Sequence, residues 1–233
     1  MVVHTIFDFL AWATAFLTAQ LIARRGWLAC AKRTPFTDPV YFIALALGAI
    51  LGALLFGSAN LQLAGLVSIG HSIAGALVGG IIAVELYKWY AGIAASTGTA
   101  FVAPLAAGIA VGRIGCFLAG LPDYTYGVPT TLPWGADFGD GIPRHPVQLY
   151  ESAAMFAFLV PYLRGIARGS NLFTRNGFYL FVAWYGVQRF VWEFLKPYPK
   201  LIGPFNLFHL LCAALFVYGI VMIGRNREFR PAR

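Results

Sequence analysis

Charge is what this chain of 233 residues has least of: Asp and Glu together number 9, Lys and Arg 17, and charged residues make up 11% of the whole. A soluble domain ordinarily carries about a quarter charged residues, so a fold of this length has too few to cover a surface in water. Cysteine is scarce as well. Cys30, Cys116 and Cys212 are odd in number and far apart, with no CxxC and no Cys/His ligand spacing, which excludes a disulfide framework and a structural zinc site. There is no Walker loop and no GxGxxG. Asp137-Phe138-Gly139 spells a kinase tripeptide, but the other kinase motifs are missing.

Apolar residues fill the space that charge leaves. The chain is 59% hydrophobic and 16% aromatic, with a mean hydropathy of +0.71. These residues run in blocks of about twenty, the length that crosses a bilayer. A soluble enzyme and a disordered tail are thereby excluded. The net charge of +8 does not point to a nucleic-acid partner either, because the cations form short clusters between apolar blocks and not a stripe on one face.

Seven apolar segments predict an all-α polytopic membrane protein with seven transmembrane helices, at residues 5–23, 40–57, 66–86, 99–119, 146–163, 177–195 and 205–223. Twelve basic residues, among them Arg24, Arg25, Lys32, Arg33, Lys88, Arg164, Arg168, Arg175 and the tail Arg225, Arg227, Arg230 and Arg233, fall on one side of these segments. Arg144, Lys196 and Lys200 fall on the other. Because cytoplasmic loops collect Lys and Arg, the amino terminus is expected outside and the carboxyl terminus in the cytoplasm. The stretch 120–145 is rich in Gly, Pro and aromatics and lacks a helical period, which predicts an ordered outer loop between helices 4 and 5. With no internal repeat, residues 1–233 read as one transmembrane domain.

The informative residues are those that a bilayer rejects, since a charge at its centre costs at least ~2.5 kcal/mol and usually marks a function. Tyr185, Arg189 and Glu193 are spaced by four and share one helix face, and Lys196 extends the stripe. They read either as a self-neutralising pair or as an anion site in which Glu193 holds the planar guanidinium of Arg189 for a phosphate. Arg113 sits among Gly108, Gly112 and Gly115, where a helix or a substrate can approach closely. His71 lies early in the third segment, ahead of the small-residue pair Gly75 and Gly79, and histidine exchanges protons near neutrality. Arg144-His145-Pro146-Val147-Gln148-Leu149-Tyr150-Glu151 opens the fifth segment with several polar side chains at its mouth.

These stretches resemble the prolipoprotein diacylglyceryl transferase family of bacterial membranes. Gly112–Phe117 is similar to that family's Gly-Arg-x-Gly-Asn-Phe run, and residues 144–151 resemble its His-Pro-Ser-Gln-Leu-Tyr-Glu stretch. Tyr185 to Phe194 is similar to its Tyr-Gly-x-x-Arg-x-x-x-Glu-Phe pattern, and His71 falls where the family has a histidine followed by glycines. The resemblance implies transfer of the diacylglyceryl group of phosphatidylglycerol to the lipobox cysteine thiol of a prolipoprotein, on the outer face of the cytoplasmic membrane, with release of glycerol phosphate. It implies no metal and no cofactor. Arg113 and Arg189 would then bind the headgroup and stabilise the departing phosphate, with Glu193 orienting Arg189. His71 or His145 would take the thiol proton. Gln148, Tyr150, Glu151, Tyr185, Gly115, Asp123 and Gly127 would shape the substrate pocket, and small residues on the third and fourth segments would admit acyl chains. The chain departs from the pattern at Cys116 (asparagine in the family), Val147 (serine) and Lys196 (arginine). Trp12 is followed by alanine where the family has tryptophan–tyrosine. A relative that keeps the lipid site but uses another acceptor is one alternative. A transporter of anionic substrates is a second, though the absent repeat argues against it.

Overall fold

The computed structural model of the chain describes residues 2–28 and 38–228, with side chains described from residue 5 to residue 226. Cys30, Lys32, Arg33, Arg230 and Arg233 lie outside the described residues, and of Arg227 only the helical backbone is described. Among the described residues seven long helices follow one another: α1 (Val2–Arg25), α2 (Pro39–Leu63), α3 (Ile73–Tyr90), α4 (Val102–Ala119), α5 (Val147–Ala167), α6 (Asn171–Glu193) and α7 (Leu207–Glu228). Five are long and apolar enough to cross a membrane, over Thr5–Arg25, Pro39–Leu63, Ile73–Tyr90, Thr99–Ala119 and Leu207–Asn226. The other two, α5 with 21 residues and α6 with 23, are as long. Their apolar average is lowered by the polar residues they carry, chiefly Gln148, Glu151, Arg164, Arg175, Gln188, Arg189 and Glu193. The fold is that of an all-helical polytopic membrane protein.

Local chemistry sets the ends of the helices, and here hydropathy alone misleads. Asp38 caps α2 by accepting the Val40 N–H at 2.8 Å, with Pro39 in the first turn. The third helix begins at Ile73, not near 66 as its apolar run predicts, because the Ser72 hydroxyl accepts the Gly75 N–H at 3.1 Å and fixes the cap there. His71 therefore lies in the connection before α3 and not within a helix. At the other end α6 starts six residues before its apolar run, since Asn171, Thr174, Arg175 and Asn176 are helical but polar. Gly120, at a φ of 72°, stops α4.

Helices α1, α4, α5, α6 and α7 pack in that spatial order, while α2 and α3 form a close hairpin that meets the others mainly through α7. Glycines make the hairpin possible. A Cβ on Gly79 would lie 2.1 Å from the Gly48 carbonyl oxygen, and one on Gly52 would lie 2.3 Å from that of Gly75. The two backbones touch along two small-xxx-small rows. Gly79→Leu is expected to pry the hairpin apart at a cost of about 1–3 kcal/mol or more, read as a lowered Tm in thermal denaturation of the detergent-solubilised protein.

The connection between α4 and α5 has a one-turn 3₁₀ helix at Leu121–Asp123 and a short hairpin pairing β1 (Ala136–Asp137) with β2 (Pro143–Arg144). Asp137 accepts the Gly139 N–H at 2.8 Å, so the Asp-Phe-Gly tripeptide is a turn and Phe138 packs on Phe117. Arg144 grips both oxygens of Asp140 at 2.7 Å, and the Val128 N–H bonds the Leu195 carbonyl at 2.7 Å. A second hairpin, β3 (Lys200–Ile202) with β4 (Phe205–Asn206), leads into α7.

Candidate active site

One end of the helix assembly gathers the charges that the sequence scatters. Arg113 stands near the end of α4, Glu151 in the first turns of α5, Arg189 and Glu193 at the end of α6, and Lys196 just beyond. All five are at least 95% buried. Glu151 is the centre. Its Oε2 lies 2.6 Å from the Arg113 Nε, and its Oε1 accepts an Arg189 guanidinium N–H and lies 2.8 Å from the Lys196 ammonium. The Arg189 Nε also reaches Glu193 Oε1 at 2.6 Å. Arg113 and Arg189, which the sequence places on different helices, thus meet on a single carboxylate.

A second layer comes from β4 and the start of α7. The Asn206 amide donates to Glu193 Oε2 at 3.0 Å, and its own carbonyl oxygen accepts the His209 N–H at 3.0 Å. The His209 Nδ1 accepts the Asn206 backbone N–H at 3.1 Å, and its ring lies edge-on to Phe194 with centroids 4.4 Å apart. Glu193 is therefore pinned from both sides. Sequence reasoning missed Asn206 and His209, although two polar residues three apart at the mouth of an apolar run were a readable signal.

Buried polar atoms without a hydrogen-bond partner include the Gln148 amide, one turn before Glu151, the Tyr185 hydroxyl, one turn before Arg189, and the Gln188 Oε1 and Trp192 Nε1 on α6. Buried polar groups are nearly always bonded, and each exception calls for an explanation such as a ligand. The charge count points the same way. Three cations face two carboxylates, an excess of one positive charge in a dry site, where charge is costly unless compensated.

The remaining expected residues divide. Tyr150 turns toward the α4–α5 connection, its hydroxyl accepting from the Trp134 indole at 2.7 Å. Gly127 packs on His145, whose carbonyl accepts the Gly127 N–H at 3.1 Å, and the His145 Nδ1 is buried without a partner. Asp123 accepts from the Thr125 hydroxyl. Cys116 Sγ is 3.9 Å from an Arg113 nitrogen, a weak contact. Gly115 serves helix packing, since a Cβ there would fall 2.3 Å from that of Phe7 in α1. His71 is exposed, and no contact described among these residues joins it to the cluster.

A cavity of about 520 Å³ lies between α1, α2, α3 and α4. Its wall is mostly apolar, and it reaches from Lys88, Glu85 and Tyr218 to Ile73 and to Gly112, the neighbour of Arg113. At the far end Glu85 accepts from Lys88 at 2.8 Å and from the Tyr218 hydroxyl at 2.8 Å.

Fold and site together define a class: a polytopic membrane protein with a buried cluster of three cations and two carboxylates and, separately, a mostly apolar cavity. Comparison with known proteins narrows it. The chain belongs to the prolipoprotein diacylglyceryl transferase family, whose description it matches over residues 5–225. It is 31% identical over 225 residues to a phosphatidylglycerol–prolipoprotein diacylglyceryl transferase of Geobacter sulfurreducens, covering 90% of this chain and 84% of that protein. The like-named protein of Nitratidesulfovibrio vulgaris is 38% identical over 170 residues, covering 68% of this chain and 61% of its own length. That of Vibrio vulnificus is 32% identical over 241 residues, covering 92% and 84%. No solved structure matches the chain significantly.

Proposed function

We propose that this protein transfers the diacylglyceryl group of phosphatidylglycerol to the lipobox cysteine thiol of prolipoproteins, releasing glycerol phosphate, as the first step of bacterial lipoprotein maturation. The observation that carries this reading is the charge imbalance of the buried cluster, with Arg113, Arg189 and Lys196 against Glu151 and Glu193. The residues suit an anionic phosphate ester. In the reaction a carbon–sulfur bond forms at the glycerol carbon as the carbon–oxygen bond to phosphate breaks, and the phosphate oxygen keeps the electron pair. Positive charge held ready for that oxygen is worth several kcal/mol in a site closed to water. Gln148 and Tyr185, unpartnered beside the arginines, would bond headgroup oxygens. The apolar cavity, lined by Gly112 next to Arg113 in the chain, would take the acyl chains.

A thiol of ordinary pKa near 8.5 needs a base, and His71 and His145 are the two candidates. All seven helices would cross the cytoplasmic membrane, with Arg24, Arg25, Lys88, Arg164 and Arg168 inside and the cluster toward the outer face under the 120–145 loop. The whole chain would act as one transferase domain, needing no cofactor, with membrane lipid and a signal-peptide lipobox as its substrates.

The test is transfer itself. Purified protein in phosphatidylglycerol vesicles should add one diacylglyceryl group to a lipobox peptide, seen by mass spectrometry, and release glycerol phosphate in equal amount. Vesicles of phosphatidylcholine alone should yield nothing. Absence of product from the phosphatidylglycerol vesicles would refute the assignment. In the same assay, whichever of His71→Gln and His145→Gln removes the acidic limb of the pH–rate profile identifies the base.

A further inference from the structure

The three cations of the cluster are of two kinds. Arginine keeps its proton at any pH a protein survives, so Arg113 and Arg189 are fixed charges and Lys196 alone can change. Lys196 follows the end of α6 with its side chain fully enclosed, its ammonium 2.8 Å from Glu151 and 5.6 Å from the centre of the Tyr198 ring. The groups facing it are Glu151 from α5, Arg113 from α4, Arg189 and Glu193 from α6, Tyr198 from the segment that follows and the Cys212 thiol from α7, with Asn206 of β4 and His209 of α7 behind Glu193. Losing its proton would leave two cations against two carboxylates, and the excess positive charge would be gone.

We propose that Lys196 is a proton-controlled half of the headgroup site: charged, it supplies the surplus that holds an anionic phosphodiester, and neutral, it releases its share of that hold. The identity of the anion rests on the transferase reading, whereas the titration rests on the cluster alone. Burial, reinforced by Arg189 and opposed by Glu151 and Glu193, pushes the Lys196 ammonium down to about 8. The sign follows. Below that value the site carries its surplus and binds. Above it the proton passes to water and binding weakens. A phosphodiester keeps one negative charge throughout this range, so the ligand contributes no pH dependence of its own.

The experiment measures binding of dioctanoyl phosphatidylglycerol to the full chain in phosphatidylcholine nanodiscs by calorimetry at pH 7 and pH 9. One unit above the lysine's midpoint about a tenth of it stays protonated, so the native protein should bind roughly tenfold more weakly at pH 9. Lys196→Arg, which cannot titrate, should change less than twofold between the two pH values. Lys196→Met should be weak at both. A native affinity that is flat from pH 7 to pH 9, or a Lys196→Arg protein that falls in parallel with the native one, would overturn the switch and leave the transferase reading standing. No binding of the lipid at either pH would overturn both.

Discussion

Glu151→Gln is expected to abolish transfer and to destabilise the fold by about 3–5 kcal/mol, the cost of leaving buried charge without its partner. The substitution keeps the shape of the side chain and removes only its charge. Among the described residues Glu151 alone touches Arg113, Arg189 and Lys196 together, so its neutralisation leaves three enclosed cations against Glu193. Repulsion among them would push one or more toward water, and Arg113 and Arg189 would no longer share a focus. Glu193→Gln should do less harm, since Glu151 still holds Arg189, and the glutamine can keep accepting a hydrogen bond from Asn206. Thermal denaturation of both variants in nanodiscs separates the two expectations. A Glu151→Gln protein as stable as Glu193→Gln, and still active, would show that Glu151 is not the hub.

Much of this site is legible in the sequence. The four-residue spacing of Tyr185, Arg189 and Glu193 sufficed to place them on one face, and the expense of burying Arg113 sufficed to single it out. Gly75 and Gly79 announced a close helix pair. What sequence spacing could not supply was the third dimension. Glu151 and Gln148 looked like pocket lining at the mouth of a helix, and only the packing of α4, α5 and α6 shows that Glu151 collects three cations. Gly115 looked like room for a substrate, yet the room is taken by Phe7 of α1. His71 moved from helix to connection because one hydroxyl, that of Ser72, decides where α3 begins. Hydropathy read α5 and α6 as ordinary spans, but these two helices carry Glu151, Arg189 and Glu193 of the site, and so fall short on composition alone.

Arg113→Ala and Arg189→Ala should each lower the rate of transfer by at least about a hundredfold, the usual consequence of removing one preorganised group from a developing oxyanion. The two losses should differ in kind. Arg113 pairs with one carboxylate, through Glu151 Oε2, so its removal costs the transition state more than the fold. Arg189 bridges Glu151 and Glu193 and lies over Phe208, 5.7 Å from the ring centre, so its removal also leaves Glu193 without its cation and should lower Tm further. Arg189→Lys should not restore activity, because a single ammonium cannot span both carboxylates as the planar fork does. The double variant should lose far less than the product of the single losses, since both guanidinium groups act on one phosphate through one carboxylate. Full transfer by both single alanine variants would show that the cluster is structural and that the reaction takes place elsewhere. Independent, multiplicative losses would mean that the two arginines serve separate sites.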